Sequence, residues 1–374
     1  MSPKKLALVT GELTAGGAER VLSVMANYWA AHQGSSITII TLSDASKTPF
    51  YPLDPSIRID HLGVQKESTG IVSAIYNNIH RIRVLRKCIL STKPDYIISF
   101  IDTTNIQTLI ASIGSGIPVI VTEHISPQDH TIPEVWKIIR KLAYRNAARI
   151  VTLTERAANY FEGYLKSKIA IIKNPIPTNS PTPSEDRIAL DASKKWFSAM
   201  GRLVDQKGFD ILLTSFALLA SKHPDWHLAI IGGGPLLGDL ETLATRLGIA
   251  QRVRFLGIQK DPWSIIKQSQ IFVLSSRYEG YPMALCEAMS LGVAVVSTDC
   301  QTGPREIITH HHNGSLCPSG NPEALAEAME ELIVNPDLRE LMANNGKRIL
   351  DTNSTTAIMA QWDTLLSEVD TNNS

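Results

Sequence analysis

The chain has 374 residues, 44% hydrophobic and 19% charged, enough for two or three domains with buried cores. Its 36 basic residues balance 36 acidic ones, so no global field points to nucleic acid. No apolar run approaches the ~18 residues of a spanning helix, and the run 6–9 is too short for a secretory h-region, so a cytoplasmic protein is expected. The charge is unevenly placed. Residues 1–185 hold 20 Lys+Arg against 14 Asp+Glu, and residues 186–374 hold 16 against 22, as expected of two domains with different partners. Cys88, Cys286, Cys300 and Cys317 form no C-x-x-C pair, which fits a reducing compartment and argues against a zinc site.

In chain order, apolar strands alternate with amphipathic helices. The pattern predicts strand 5–10, a glycine loop 11–17, helix 18–32, and strands 37–42 and 57–62. Helix 69–92, strand 96–100, helix 105–113 and strand 119–122 follow. Helix 133–146, strand 149–153, helix 155–164 and strand 169–172 complete the first half. The stretch 174–185 holds four prolines and reads as a linker. The alternation then restarts with strand 196–199, helix 209–222, strand 227–231, helix 236–247, strand 253–255, helix 262–268 and strand 272–274. Helix 283–291, strand 293–296 and helices 322–334, 336–349 and 355–369 follow, the last with Ile358, Met359, Trp362, Leu365 and Leu366 on one face. Such alternation predicts two α/β domains, residues 1–173 and 186–354, each with a doubly wound parallel sheet. Ligands of such sheets bind beyond the strand carboxyl ends, so a cleft between the domains is the expected site.

The segment 272–298 is the most informative. Strand, polar turn, helix and strand place a helix N-terminus, with its unpaired N–H groups, at the carboxyl end of a sheet, which is an anion site. Glu279 and Glu287 bracket it. Carboxylates beside an anion site suit a ligand bearing both phosphates and hydroxyls, such as a nucleotide sugar. The competing reading makes Glu279 a helix cap and leaves Glu287 solvated.

Gly201-Arg202-Leu203-Val204-Asp205-Gln206-Lys207-Gly208 also follows a strand and precedes a helix. Arg202 and Lys207 there would neutralise a departing diphosphate without a metal, or else be ordinary surface charges. Gly232-Gly233-Gly234-Pro235 is no dinucleotide fingerprint, because no acid ends the next strand, which runs into Gly257-Ile258. Gly233 and Gly234 would instead admit a nucleotide close to the backbone. Gly16-Gly17 opens a helix and serves either a phosphate or a tight turn. His124 follows a strand and is either a structural donor or part of a site. Asp102-Thr103-Thr104-Asn105 is placed similarly, with Asp102 a candidate cap. His310-His311-His312 has no nearby carboxylate or cysteine that completes a coordination set and reads as a surface loop, and the chain has no D-x-D. Basic residues cluster at Arg81, Arg83, Arg86, Lys87 and Lys93, and again at Lys137, Arg140, Lys141, Arg145 and Arg149. Both stretches suit an anionic lipid surface, at about 1 kcal/mol per cation, or the outer faces of core-packed helices.

Together these residues resemble glycosyltransferase family 4, retaining enzymes of the GT-B fold with two Rossmann-like domains. The match is Gly201-Arg202 with Lys207-Gly208, then 232–235, then the E-x7-E pair Glu279 and Glu287. The resemblance implies that Arg202 and Lys207 hold the donor diphosphate and that Glu287 binds the ribose. It also implies that Glu279 and His124 lie near the donor sugar, and that Met283, Ala284 and Leu285 offer N–H groups to the distal phosphate. Gly17, Gly201, Gly233, Gly234, Gly257 and Ile258 would line the donor, and helix 355–374 would return to the first domain. A narrower resemblance is to bacterial transferases that extend polyprenyl-diphosphate-linked glycans with N-acetylgalactosamine. It rests on 99–105, Glu123-His124 and the basic helix. It implies a UDP-sugar donor, work at the inner face of the membrane, and acceptor contacts from Asp102, Thr103, Asn105, Arg81, Arg83, Arg86 and Lys87.

The resulting expectation is a metal-independent, cofactor-free retaining transfer of a hexose or N-acetylhexosamine from a UDP-sugar to a glycan, lipid-linked or peripheral to the membrane. Rivals are a GT-B enzyme with a soluble acceptor, an epimerase, and a non-catalytic sugar-nucleotide-binding protein. The last should tolerate loss of both Arg202 and Lys207.

Overall fold

Aliphatic and β-branched runs bury both faces of the central strands, as a parallel sheet covered on each side requires. The computed structural model describes residues 3–46, 48–65, 69–124, 132–178, 188–300 and 302–373. It divides into two compact units, Met1–Pro175 with Thr355–Ser374, and Ile176–Ser354. Most of the proline-rich stretch lies outside the described residues.

The first unit contains β1 (Lys5–Thr10), α1 (Gly17–Gln33), β2 (Ser36–Thr41), β3 (Arg58–His61), α2 (Ile71–Thr92) and β4 (Tyr96–Phe100). It continues with α3 (Asp102–Ala111), β5 (Val119–Glu123), α4 (Glu134–Ala143), β6 (Arg149–Thr152), α5 (Glu155–Leu165) and β7 (Ile169–Ile171). Its seven strands are all parallel, in the order β3-β2-β1-β4-β5-β6-β7. The second unit contains β8 (Lys195–Met200), α6 (Phe209–Ala220), β9 (Trp226–Ile231), α7 (Leu237–Arg246), β10 (Val253–Phe255), α8 (Pro262–Ile266) and β11 (Ile271–Leu274). Then come α9 (Met283–Ser290), β12 (Ala294–Asp299), β13 (Ser315–Pro318), α10 (Pro322–Val334), α11 (Pro336–Gly346) and α12 (Ile349–Asn353). Its six strands are also parallel, in the order β10-β9-β8-β11-β12-β13. Apolar clusters cover both faces of this sheet, with α6 and α10 on one and α8 and α9 on the other. Both units are Rossmann-like doubly wound sheets. In each, the chain reverses direction across the sheet at its centre, between β1 and β4 or between β8 and β11.

The last helix, α13 (Thr355–Asn373), packs in the first unit. Its Trp362 meets Trp29 edge-on at 6.2 Å, and Asp363 accepts from the Trp29 indole at 3.0 Å. Among the described residues no helix is long and apolar enough to cross a membrane.

The sequence pattern misses two elements. β13 is a four-residue half-buried edge strand with no apolar alternation, and the expected helix 336–349 breaks at Gly346 into α11 and α12. Helix 133–146 is also shorter than expected. α4 stops at Ala143, a 3-10 turn follows, and Arg149 opens β6. α3 starts earlier than expected, at Asp102, so Asp102 lies inside the helix. Ile101 precedes it at φ 72°, a strained setting for a β-branched residue.

Candidate active site

The loops leaving β8 and β11 diverge from the centre of the second sheet, which is where such a fold forms a crevice. Loop 201–208 and loop 275–282 are fastened together by many bonds. The Arg277 N–H donates to Gln206 O at 2.8 Å, Gln206 Nε2 to Tyr278 O at 3.0 Å, and Ser275 Oγ to Lys207 O at 2.9 Å. Arg277 also forks onto Asp210 at 2.9 and 2.7 Å, and that hydrogen-bonded pair holds the Asp210 carboxyl below the usual carboxylate range. Gly208 makes this closeness possible. It sits at φ 60°, and a Cβ there would lie 2.2 Å from Ser275 O.

Within this frame Lys207 and Glu279 meet. Lys207 Nζ lies 2.6 Å from Glu279 Oε1, which also accepts from Ser276 Oγ at 2.6 Å. Glu279 is buried, and Lys207 is largely so. Thr302 Oγ1 donates to the Glu279 carbonyl, and Thr298 Oγ1 donates to Ser276 O at 2.6 Å. Glu279 is therefore a buried partner of Lys207 and not the cap of α9, whose cap residue is Pro282. Gly201 lacks the side chain that would crowd the Lys207 stem, which runs 3.3 Å from where a Cβ would stand. Arg202 is exposed, and among the described residues its side chain has no partner.

Helix α9 opens beside Glu279. Its Met283 and Ala284 N–H groups have no backbone acceptor among the described residues. The Leu285 N–H does, donating to Pro282 O at 3.1 Å. One turn on, Glu287 is closed to water, and its Oε2 accepts from Trp263 Nε1 at 3.0 Å. The solvated alternative for Glu287 is thereby excluded.

The glycine run after β9 is spent mainly within the protein. A Cβ on Gly234 would lie 2.5 Å from Leu203 O, and one on Gly233 would lie 3.1 Å from Ile258. Leu203 N donates to Gly233 O at 2.9 Å. For Gly234 the close backbone approach is thus to loop 201–208. Gly257, at φ 67°, faces open space, and Ile258 is exposed. Burial, with the nearby Glu279 charge, pushes the Cys300 thiol up to about 12.

In the first unit, Gly17 opens α1 and is exposed. His124 follows β5, stacks on Phe100 at 5.4 Å and meets Thr122 Oγ1 at 3.1 Å, and burial lowers its pKa to about 4. Glu123 beside it is buried and accepts the Tyr144 hydroxyl. Several of the residues expected to meet an acceptor or a lipid surface have partners within this unit. Asn105 is fully buried, donating to Thr122 O at 2.9 Å and Tyr144 Oη at 3.2 Å. Arg81 donates to Val64 O at 2.9 Å, and Arg86 to the Ala111 and Ile113 carbonyls, each at 2.7 Å. Arg140 points inward, 1% exposed, and donates to Tyr160 Oη at 2.7 Å. Asp102 accepts from the Thr103 N–H at 2.6 Å and Thr103 Oγ1 at 3.1 Å, while Thr103 itself, Arg83 and Lys87 are exposed. His311 lies 3.0 Å from Glu331, a carboxylate that sequence proximity does not reveal.

Sequence reasoning passes over Arg277, Asp210, Ser276, Thr298, Thr302 and Trp263. Each is an ordinary residue type, and all but Ser276 have a side-chain partner remote in the chain, so spacing carries no signal for them.

A family model described as Glycosyltransferase Family 4 matches residues 15–180, and one described as Glycosyl transferases group 1 matches residues 183–349. An uncharacterized glycosyltransferase of Haemophilus influenzae is 29% identical over 357 residues, covering 94% of this chain and 97% of that protein. A Campylobacter jejuni protein, named as an alpha-1,4-N-acetyl-D-galactosaminyltransferase acting on an undecaprenol-PP-linked glycan, is 27% identical over 369 residues, covering 98% and 99%. The structure of Anabaena HepE in complex with UDP-glucose aligns with TM-score 0.80 at 20% identity, over 98% of this chain and all of that one. Sucrose-phosphate synthase of Thermosynechococcus elongatus aligns with TM-score 0.85 at 17% identity, over 99% and 100%. The fold is of the GT-B class. With two adjoining family models matching residues 15–180 and 183–349, the chain is an enzyme belonging to the glycosyltransferases of family 4.

Proposed function

We propose that the enzyme moves a hexose or N-acetylhexosamine from a UDP-sugar to a glycan hydroxyl, the glycan being carried on polyprenyl diphosphate during surface-polysaccharide assembly. The observation that carries this reading is the largely buried Lys207 ammonium fixed by Glu279 beside the open N-terminus of α9. An ammonium has three N–H bonds. Glu279 takes one, and the others can reach diphosphate oxygens. Arg202, exposed and unpartnered among the described residues, supplies a second cation. Met283 and Ala284 supply amides, Glu287 binds ribose hydroxyls, and Gly257 and Ile258 meet the base. Charge on the departing diphosphate is then met by protein groups, without an ion.

Retention follows the family. Glu279, engaged with Lys207 and Ser276, orients rather than attacks. The acceptor oxygen approaches on the face the diphosphate leaves, and a diphosphate oxygen takes its proton. His124, neutral near pH 7, serves as a hydrogen-bond partner of the donor sugar. The lipid-linked acceptor is supported by the Campylobacter jejuni relative, and the UDP-sugar by the HepE complexes.

Work at an anionic membrane surface is supported by the outer faces of two helices. Ile71, Val72, Ile75 and Tyr76 of α2 are exposed, as are Val135, Ile138 and Leu142 of α4. Exposed Arg83 and Lys87 continue the α2 face, and exposed Lys141 adjoins that of α4. Apolar stripes edged by cations suit a headgroup layer. We also propose residues 1–173 with 355–374 as the acceptor-side domain, 174–185 as linker and 186–354 as the donor-side domain.

A panel of nucleotide sugars, assayed for UDP release with and without a polyprenyl-diphosphate-linked glycan, tests the reading. UDP release that requires the lipid-linked acceptor supports it. Turnover with a soluble sugar alone, or conversion of the donor without acceptor, contradicts it.

A further inference from the structure

Glu287 lies in α9 between Leu285, Ala288 and Met289, all buried in the apolar cluster on that face of the sheet. An apolar residue of similar volume would serve this core at least as well, because a buried carboxylate pays desolvation. Packing therefore does not explain the acid or the donor that meets it. That donor is the Trp263 indole, itself 1% exposed, at 3.0 Å from Oε2. Trp263 is the second residue of α8, whose start is fixed by the Asp261 side chain accepting from the Ser264 N–H at 3.3 Å. Gly257 and Ile258 lie on the same short segment. Residues 257–263 thus carry both the base-facing positions and the group that holds Glu287.

Resting on the reading that Glu287 binds the ribose, we propose that Trp263 is a positioning residue that sets the preference for ribonucleotide over deoxyribonucleotide donors. Its N–H fixes one carboxylate oxygen, and with it the plane of the group. That directs Oε1 toward the ribose hydroxyls, where it accepts their hydrogen bonds. Without the N–H the carboxylate turns, and the hydroxyl bonds are lost while base and diphosphate contacts remain.

Calorimetric titration of UDP, 2′-deoxy-UDP and 3′-deoxy-UDP into the full chain and three variants tests this. The wild type should prefer UDP over the deoxy compounds by roughly tenfold or more, a difference that Glu287→Gln should abolish. Trp263→Phe keeps a six-membered ring but no donor. It should lose most of the preference through weaker UDP binding, with deoxy affinities unchanged, and should raise KM while kcat stays within about twofold. Trp263→His removes more volume, yet its imidazole overlays the pyrrole half of the indole and brings Nε2 to the place of Nε1. It should recover much of the preference. If packing were the whole role, Trp263→His would be the worse variant, and all three nucleotides would weaken together. That result overturns the proposal. A wild type without preference, or a Glu287→Gln variant that keeps it, overturns the ribose reading as well. Loss in Glu287→Gln without loss in Trp263→Phe overturns the positioning role alone.

Discussion

Lys207 and Glu279 show how a single ion pair can serve an anion. The carboxylate holds the ammonium in place through one N–H but also repels a diphosphate. Lys207→Ala should therefore cut turnover by about 10²-fold or more, as removal of a charge-stabilising donor does. Glu279→Gln should lower kcat without weakening UDP binding. Steady-state UDP release combined with calorimetry checks both, and loss of UDP affinity in Glu279→Gln would show that Glu279 holds the nucleotide directly. His124 makes a prediction about pH. Its folded pKa of about 4 lies below the ordinary 6.5, so the unfolded chain takes up the proton first as pH falls. Its contribution to stability is full above pH 6.5 and is lost as pH falls toward 4, by roughly 3 kcal/mol at most. NMR should find its ring neutral down to pH 5, and a midpoint near 6.5 would contradict this.

At the scale of elements, the loops after β8 and β11 behave as one piece. Gly208→Ala must strain a left-handed residue and drive a methyl into Ser275 O, so it should destabilise the enzyme by about 2 kcal/mol or more. Thermal unfolding measures this, and an unchanged Tm would show that the loops part easily. α2 and α4 make a different prediction. Their exposed faces carry apolar residues as well as cations, so co-sedimentation with anionic liposomes should survive, in part, the salt that screens the charges. A double variant Ile75→Ser and Ile138→Ser should become fully salt-releasable. Absence of pelleting at low salt would remove the membrane from the account. The sequence told apart strands and helices through period, and it located the loops after β8 and β11 through glycines flanking strand ends. It could not tell that Arg81, Arg86 and Arg140 are turned onto carbonyls and a tyrosine, because composition counts cations without showing which way they point. Nor could it show that the Leu285 amide is occupied, since a tight first turn leaves no mark in residue type.

Across the whole molecule, two parallel sheets repeat one topology with different chemistry at their switch points. In the second, the ends of β8 and β11 bring a lysine, a buried glutamate and open amides together. In the first, the residue after β4 is a strained isoleucine, and β5 ends in a buried glutamate, followed by a neutral histidine. Family and fold were legible because the glycine and acid spacings of the second unit are dense with constraint. The residues expected to meet an acceptor were less legible, since Asn105, Arg81 and Arg86 are bound up in the first unit's own structure. The account stands on the claim that side-chain cations and backbone amides grip the nucleotide diphosphate. Calorimetric titration of UDP in the presence of EDTA, with wild type and the Arg202→Ala/Lys207→Ala double variant, measures it most directly. The account predicts that the wild type binds UDP in EDTA and that the double variant binds at least about tenfold more weakly with its fold intact. Binding abolished by EDTA, or unchanged in the double variant, would contradict it.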